Sequence, residues 1–512
     1  MMKKYIYYLL AFICFGLLQS CDKAESEAIL SPYTPASVDE NAGNWKTFVL
    51  SSPTEVSINA PLATTDPAYL KEIDSLKNVV YPNLTNEQRQ IVGYWGAGAV
   101  YRWNEIAREL AARYNSAPAA NAEGKYPVPD ANNPLADPKF PFANPPYVSR
   151  ALAYLSVAQF DALVSAWKYK YQYNRPAPSV VDKSVKVLLP ISNLPSYPSE
   201  DAVVAQASYV ILLAMFPGEG PFLKAKLEEC KNARLWAGMN VSSDLNAGVS
   251  LGGAVAAKVM VKARADGMGA ANNQAATADM ITRSKSLGFK TVWASQESPA
   301  RPPMLPTFGN VKTWNFDRAT LEAIRPAIPY IEGSAEFNKD LEELQAIDKN
   351  QTREQAAIAN FWADGPGTYT PPGHWHRYGA NAGFEAKYSE VRMARMLAYL
   401  GTAEMDAGIA CWETKFYYYS PRPQQYGLKT SVGLPNFPSY TSGHSTFSAA
   451  GAEVLSAFFP EKASTFNSYA QQASDSRVYG LIHWRIDCIM GLKHGKTIGQ
   501  YAVKRAQQDG AL

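Results

Sequence analysis

The sequence contains two copies of one pattern, and this repetition constrains the fold more than any other feature. Residues 83–95 align without a gap on 350–362, and residues 195–217 align on 438–460 with nine identities in 23 positions. Such matches, kept in the same order along the chain, do not follow from shared composition. The chain of 512 residues is therefore predicted to be a tandem duplication in which each copy builds a similar unit.

Helical periodicity dominates both copies, and the alternation typical of strands is scarce. The long Ala-rich segments predicted as helices are 150–168, 202–216, 248–264, 387–412, 445–458 and 488–507. Thr85 and Thr352 each begin a capping-box pattern before an apolar run. The expected fold class is all-α, with two tandem helical bundles.

The N-terminus reads as an export signal. Lys3 and Lys4 precede about a dozen apolar residues, fewer than the roughly 20 that span a bilayer. Leu18-Gln19-Ser20-Cys21 resembles a bacterial lipobox, in which the cysteine is lipidated; the alternative is an ordinary signal peptide with an incidental cysteine. We expect an exported protein that Cys21 anchors to a bacterial membrane, on its periplasmic or surface side.

Net charge and cysteine spacing argue against a nucleic-acid-binding protein, a disulfide-rich fold and a cysteine metal site. With 49 basic and 46 acidic residues, the net charge of +3 gives no reason to expect a nucleic-acid partner. Cys230, Cys411 and Cys488 lie far apart, so they form neither a disulfide framework nor a CxxC metal site and are predicted to be buried.

The two copies differ in their polar residues, and the differences assign the chemistry to the second copy. All five histidines lie there. From first copy to second, the replacements are Glu200 to Gly443, Asp201 to His444 and Asn240 to His483. Lys168-x6-Arg175 repeats the spacing of Lys415-x6-Arg422, but the two acidic residues of the first copy are expected to repel an anion.

The first copy is therefore predicted to be degenerate. The five expected parts of the chain are a signal peptide (1–20), a tether (21–64), a degenerate bundle (65–270), a Pro-rich connector (271–329) and a catalytic bundle (330–512).

The second copy combines residues that suit a tetrahedral oxyanion. Its candidate anion-binding groups are three cations and the start of a helix: Lys415, Arg422, Arg477, Ser442 and Gly443. If 480–490 is helical, His483 and Asp487 share a face, and the carboxylate can fix the imidazole tautomer. His444 and His483 would provide an acid/base group and a nucleophile or ligand.

These motifs resemble a known three-part signature. Lys415-x6-Arg422-Pro423, Ser442-Gly443-His444 and Arg477-x5-His483-x3-Asp487 are similar to the signature shared by type 2 phosphatidic acid phosphatases, bacterial class A acid phosphatases and vanadium-dependent haloperoxidases. Thr441 is a departure, since the family usually has proline before Ser-Gly-His.

Three features favour the haloperoxidase branch. The chain has two bundles, whereas the simple phosphatases need one. The segment 361–367, Phe-Trp-Ala-Asp-Gly-Pro-Gly, resembles a haloperoxidase segment in which the carboxylate matching Asp364 hydrogen-bonds the acid/base histidine, here His444. Phe437 matches a halide-pocket position that is aromatic in chloroperoxidase-like members.

The resemblance implies a role for each position. The groups expected to bind the equatorial oxygens of vanadate are Lys415, Arg422, Ser442, Gly443 and Arg477. His483 would form the single protein bond to vanadium, oriented by Asp487, and His444 would accept a proton from hydrogen peroxide. The implied activity is oxidation of a halide, with iodide or bromide expected. A homodimer is a plausible assembly.

Two alternatives stay open. As a phosphatase, the chain would use no vanadate: His483 would attack phosphorus to give a phosphohistidine, and His444 would protonate the leaving alcohol. His374-x-His376 has the appearance of a metal pair, but two ligands fall short of what zinc requires, and a wall of the active-site channel is the preferred interpretation. His494 is expected on a helix surface.

Overall fold

The computed structural model describes residues 28, 30–128, 133, 135, 140–191 and 193–511. The expected signal peptide and Cys21 lie outside these residues. Within the described part of the chain no helix is long and apolar enough to cross a membrane.

Helices and no strands make up the regular structure of the described residues. In the first half they are α1 (Pro67–Ser75), α2 (Asn86–Trp95), α3 (Ala99–Tyr114), α4 (Pro145–Tyr173), α5 (Pro178–Val181), α6 (Glu200–Met215), α7 (Gly220–Trp236), α8 (Ser242–Arg264) and α9 (Thr277–Ser286). In the second half they are α10 (Arg318–Ala323), α11 (Ala335–Asn350), α12 (Arg353–Phe361), α13 (Thr370–Glu385), α14 (Glu390–Tyr418), α15 (Gly443–Phe458), α16 (Ala463–Tyr479) and α17 (Arg485–Ala506). The all-α prediction is confirmed.

The helices of the two halves pair in length. The pairs are α4 and α14 with 29 residues each, α6 and α15 with 16, α7 and α16 with 17, and α8 and α17 with 23 and 22. Both capping boxes form, at Thr85 and Thr352. The order and lengths of the helices thus repeat between the halves, and their origin in a duplication stays a prediction.

The two long helices α4 and α14 pack against each other at the centre of the molecule. Their backbones come close because small residues meet there: a Cβ on Gly401 would lie 3.0 Å from Ala153 Cα. Trp103 of the first half and Trp375 of the second belong to the same hydrophobic cluster. The two bundles therefore share one core and are not separate domains joined by a linker.

The segment expected to be a tether is packed where the structure describes it. The buried carboxylate of Asp161 accepts hydrogen bonds from the backbone N–H groups of residues 48–50 at 2.7–3.1 Å. Trp167 Nε1 donates to the Val38 carbonyl at 2.9 Å, and Trp45 is buried. The tether prediction is thus wrong for these residues. They pack on α4 because the buried Asp161 carboxylate needs hydrogen-bond donors, and the backbone of this segment provides them.

The Pro-rich connector makes the same kind of contact with the second half. The Asp406 carboxylate accepts from the backbone N–H groups of Trp314 and Asn315 at 2.7 and 3.0 Å, and Trp412 Nε1 donates to the Met304 carbonyl at 3.2 Å. Asp406 and Trp412 are the counterparts of Asp161 and Trp167. The shared pattern therefore extends N-terminally beyond the segments that align by sequence.

Buried polar side chains include one that sequence analysis placed on the surface. His494 of α17 is 3% exposed, so the expectation of a surface position is wrong. Burial lowers the pKa of His494 to about 3. The expectation for the cysteines is confirmed, since Cys230, Cys411 and Cys488 are buried and free.

We predict that His494→Leu makes the protein less sensitive to acid. Between pH 6.5 and about 3 the unfolded chain binds a proton at His494 that the folded chain does not, so stability falls as the pH falls through this window. The variant should lose a slope of up to about 1.4 kcal/mol per pH unit there. Urea unfolding at a series of pH values measures this, with Lys496→Gln on the exposed side of α17 as control; parallel pH profiles for His494→Leu and the parent would contradict it.

Candidate active site

Three helix ends of the second half meet around one loop. Lys415 lies in the last turn of α14, Ser442 is the N-cap of α15, and Asp487 lies in the first turn of α17. The loop at 437–442 runs between them, and the Ser442 N–H donates to the Asp487 carbonyl at 3.0 Å. The structure thus brings together residues from three separate sequence motifs.

His483 is held by the carboxylate of Asp487. His483 Nδ1 lies 2.9 Å from Asp487 Oδ2, which leaves Nε2 as the nitrogen available to a ligand. The pairing is found although His483 itself lies outside the helix, since α17 begins at Arg485. Asp487 reaches back to His483 because its carboxylate also accepts from the Trp484 N–H at 3.2 Å, as a helix-capping side chain does.

Ser439 is a site residue that sequence analysis missed. Its hydroxyl donates to Asp487 Oδ2 at 2.5 Å and lies 3.3 Å from His483 Nδ1. Ser196 occupies the same place in the first copy, so a comparison that looked for differences between the copies passed over Ser439. Ser439 fixes the carboxylate that in turn fixes the imidazole.

Lys415 is fully buried and holds the loop in place. Its Nζ donates to the carbonyl oxygens of Pro438 at 3.0 Å and Ser439 at 2.6 Å, and also to that of Thr441. Burial lowers the pKa of Lys415, chiefly because the charged form loses its hydration. Lys415 therefore contributes positive charge and shapes the loop through its N–H groups.

Both arginines of the signature are buried and are held by backbone carbonyls. Arg422 donates to the carbonyls of Phe437 at 2.8 Å and Ile482 at 2.6 Å, and Arg477 donates to that of Ala359 at 3.1 Å. Burial lowers their pKa values, to about 9 for Arg422 and about 10 for Arg477, so both carry charge at neutral pH.

Positive charges and burial both act on the pKa of His483. After burial, the causes that hold the pKa of His483 well below its usual range are the charges of Arg422, Lys415, His444 and Arg477, in that order. His483 is thus kept neutral, which is the state in which a histidine can donate a lone pair to a metal or to phosphorus.

Gly443 and His444 begin α15 beside these cations. A Cβ on Gly443 would meet only Trp412, at 3.9 Å, so packing does not require glycine here. The backbone N–H groups of this first turn have no partner within the helix and suit an anion. His444 is half-buried, unlike the fully buried His483.

Asp364 is buried and contacts His374. His374 Nδ1 lies 3.3 Å from both carboxylate oxygens, and the imidazole stacks between the rings of Trp362 and Tyr378 at 4.7 and 4.9 Å. The negative charge of Asp364 also raises the pKa of Arg477, against the larger lowering that burial causes. The hydrogen bond expected between Asp364 and His444 stays a prediction, and His374 is a partner of Asp364 that sequence analysis did not assign.

His374 and His376 do not form a metal pair. His376 is buried on the other side of α13, where its Nδ1 lies 2.9 Å from Asn104 Nδ2 and its Nε2 lies 3.5 Å from a Glu404 oxygen. Within the described part of the chain, no group of three or more potential ligands could hold a metal ion.

Phe437 lies close to two of the cations, and its place in a halide pocket stays a prediction. Its ring is 5.1 Å from Lys415 Nζ, 5.1 Å from Arg422 Cζ and 4.8 Å from the Trp412 ring. The side chains of Phe437 and Trp412 give the site one apolar wall.

The site fits an oxyanion by its charge and its hydrogen-bonding groups. Lys415, Arg422 and Arg477 are at most 1% exposed, and the carboxylates that act on them are those of Asp487 and Asp364. Arg422 Nη2 is buried with no hydrogen-bond partner among the described residues. Buried cations in excess of their partners are costly without an anion, so the arrangement favours one that accepts several hydrogen bonds.

Comparison with known proteins finds a family match over the part of the chain that contains these residues. The sequence model of the PAP2 superfamily matches residues 393–509, which include every residue of the three-part signature. No curated protein matches the sequence significantly.

Two solved structures share the fold. The first bacterial vanadium-dependent iodoperoxidase is 20% identical with a TM-score of 0.52, over 70% of this chain and 91% of that one. A holo-type bacterial vanadium-dependent chloroperoxidase is 15% identical with a TM-score of 0.50, over 77% of this chain and 99% of that one. The predicted resemblance is confirmed for residues 393–509 by the superfamily model and for the fold by the two structures.

We predict that Ser439→Ala weakens the binding of orthovanadate about 10- to 100-fold. The substitution removes the hydroxyl that donates to Asp487 and so loosens the orientation of His483. Equilibrium dialysis measures the affinity. Ser196→Ala is the matched control, since Ser196 Oγ donates to Asp244 at 3.3 Å in the first half; equal affinities of Ser439→Ala and the parent would contradict the role of Ser439.

Proposed function

We propose that the protein is a vanadate-dependent haloperoxidase that oxidises a halide with hydrogen peroxide. The observation that carries the proposal is a set of contacts around His483. Asp487 engages its Nδ1, Arg422 donates to the neighbouring Ile482 carbonyl, and Lys415 donates to the carbonyl of Ser439, whose hydroxyl lies 3.3 Å from Nδ1. This arrangement leaves His483 Nε2 as the ring nitrogen that a ligand can use.

The extent of the fold supports the peroxidase over the phosphatase. The two structures described above cover both halves of this chain and are named as an iodoperoxidase and a chloroperoxidase. The match to the PAP2 superfamily covers the second half alone and is compatible with either reaction.

The chain's own residues account for binding of the cofactor. Arg422, Arg477, the Ser442 hydroxyl and the Gly443 N–H would bind the oxygens of vanadate, with Lys415 adding charge, and His483 Nε2 would be the ligand to vanadium. Bound vanadate would supply a Lewis-acidic centre that activates hydrogen peroxide, and the oxidation state of vanadium would not change. The buried Asp487 and Ser439 keep His483 Nδ1 occupied and so hold Nε2 in position.

His444 is the proposed proton acceptor for hydrogen peroxide. It lies in the first turn of α15, next to Gly443, and a histidine is the side chain most often used as a general base. Its charge is one of the causes that lower the pKa of His483.

Iodide or bromide is the proposed halide. Phe437 and Trp412 form an apolar wall next to Lys415 and Arg422. A large, weakly hydrated halide loses less hydration free energy than chloride on entering such a site. These halides are also the more easily oxidised.

We predict that the purified protein without its N-terminal signal oxidises iodide with hydrogen peroxide after loading with orthovanadate. His483→Ala should lower the rate at least about 100-fold, because it removes the ligand nitrogen. Asn240→Ala, the same substitution at the aligned position of the first half, should leave the rate unchanged.

A parallel assay of p-nitrophenyl phosphate hydrolysis with vanadate-free protein separates the alternatives. Phosphate release that vanadate inhibits, with no iodide oxidation, would show a phosphatase that acts through His483. Equal losses in His483→Ala and Asn240→Ala would contradict the assignment of the site to the second half.

We also propose export and lipid anchoring through Cys21, which rest on the N-terminal sequence. We predict that the full chain, expressed in bacteria fed an alkyne-labelled fatty acid, carries the label and sediments with membranes. Cys21→Ser should lose the label and Cys14→Ser should keep it. An unlabelled parent chain would contradict the lipid anchor.

A further inference from the structure

The first half contains a buried ion cluster at the place that corresponds to the active site. The Glu200 carboxylate lies 2.8 Å from Lys170 Nζ and 2.7 Å from Arg234 Nη2. Asp201 adds a second carboxylate, 2.8 Å from Arg234 Nε. Lys170 is fully buried and Glu200 nearly so, so these charges neutralise one another inside the protein.

The lysine of this cluster corrects the sequence comparison. Lys170, and not Lys168, corresponds to Lys415, since α4 and α14 have equal lengths and both lysines lie three residues before the helix end. Lys170 Nζ donates to the Pro195 carbonyl at 2.6 Å, as Lys415 does to that of Pro438. Lys168 instead contacts Asn44 Oδ1 at 3.2 Å.

The hydrogen bonds around Asp244 in the first half repeat those around Asp487 in the active site; these bonds are called the frame of each site. Ser196 donates to Asp244 as Ser439 does to Asp487. The N–H of Ser199 donates to the Asp244 carbonyl at 3.0 Å, the distance found for their counterparts in the second half. Asn240 contacts the same carboxylate at 3.4 Å, where His483 contacts Asp487.

An arginine next to Asp244 has buried N–H groups without a hydrogen-bond acceptor in the described part of the chain. Arg175 pairs with Asp244 through Nη2, while its Nε and Nη1 are buried with no hydrogen-bond partner among the described residues. Arg175 is 3% exposed. Its counterpart in the second half, Arg422, likewise has a buried Nη2 with no hydrogen-bond partner among the described residues.

The decisive difference lies at the first residue of the helix. Glu200 begins α6 where Gly443 begins α15. The carboxylate of Glu200 reaches the two cations, Lys170 and Arg234, whose counterparts are Lys415 and Arg477. A carboxylate presents two oxygens to these donors, as one edge of a tetrahedral oxyanion would.

We propose that the first half retains an oxyanion site in which the side chain of Glu200 takes the place of the anion. The ligand class is a tetrahedral oxyanion such as phosphate or vanadate. The native chain binds one such ion, in the second half, because the first half satisfies its cations internally. Removing the internal carboxylates opens the second site.

The direct test is the double variant Glu200→Gly/Asp201→Asn of the full chain without its signal peptide. After equilibrium dialysis against orthovanadate, bound vanadium is counted per chain by elemental analysis. We expect one vanadium in the parent and two in the variant. A folded variant that binds no more vanadium than the parent would overturn the proposal.

The reciprocal substitution tests the same idea in the second half. Gly443→Glu should place a carboxylate between Lys415 and Arg477, abolish vanadium binding there, and raise the Tm in vanadate-free buffer. Gly443→Gln, of the same size without charge, should also block binding but give no rise in Tm. A Tm no higher for Gly443→Glu than for Gly443→Gln would contradict the proposal even where the double variant does not fold.

The count of vanadium also separates this proposal from the proposed function. Were the second half to bind no vanadate, the double variant would still bind one ion more than the parent.

Discussion

Buried positive charge is the constraint on which the active half of this molecule depends. Lys415, Arg422 and Arg477 are removed from water, and each is held by backbone carbonyls as well as by distant carboxylates. An isolated charge in such surroundings is costly, so the fold must provide partners or accept an anion. The first half supplies the carboxylate of Glu200, whereas the second half has Gly443 at the corresponding helix start.

The same constraint explains why helix ends, and not helix faces, build the site. A helix N-terminus offers N–H groups with no partner inside the helix, and α15 begins at Gly443 beside the three cations. Asp487 caps the start of α17 and in doing so reaches His483. Stability of the helix ends and orientation of the imidazole therefore rest on the same carboxylate.

The shared core makes this arrangement rigid. α4 and α14 cross at Ala153 and Gly401 with little room between their backbones, and one hydrophobic cluster runs through both halves. The segment at 48–50 and the connector at 314–315 are tied to buried carboxylates of these two helices. The first half thus supports the helix that carries Lys415.

Much of the site could be predicted from the sequence because its residues are set by local spacing. The pair His483 and Asp487 is four residues apart, and Ser442-Gly443 begins a helix, so short-range rules are enough to group them. The packing of residues 36–59 could not be predicted, since their Pro- and Ser-rich composition is that of a linker and their partner Asp161 lies about a hundred residues away. The prediction that His494 lies on the surface was wrong for a similar reason, because the burial of a helical residue depends on the neighbouring helices.

The sequence by itself determined the all-α class, the repeated pattern and the identity of the cations and histidines, because periodicity and motif spacing are properties of the chain. Only the tertiary structure decided that Lys170 is the true counterpart of Lys415, that Ser439 supports Asp487, and that Asp364 lies beside His374. These relations join residues of different helices and loops, and their distances are fixed only when the two halves pack around α4 and α14.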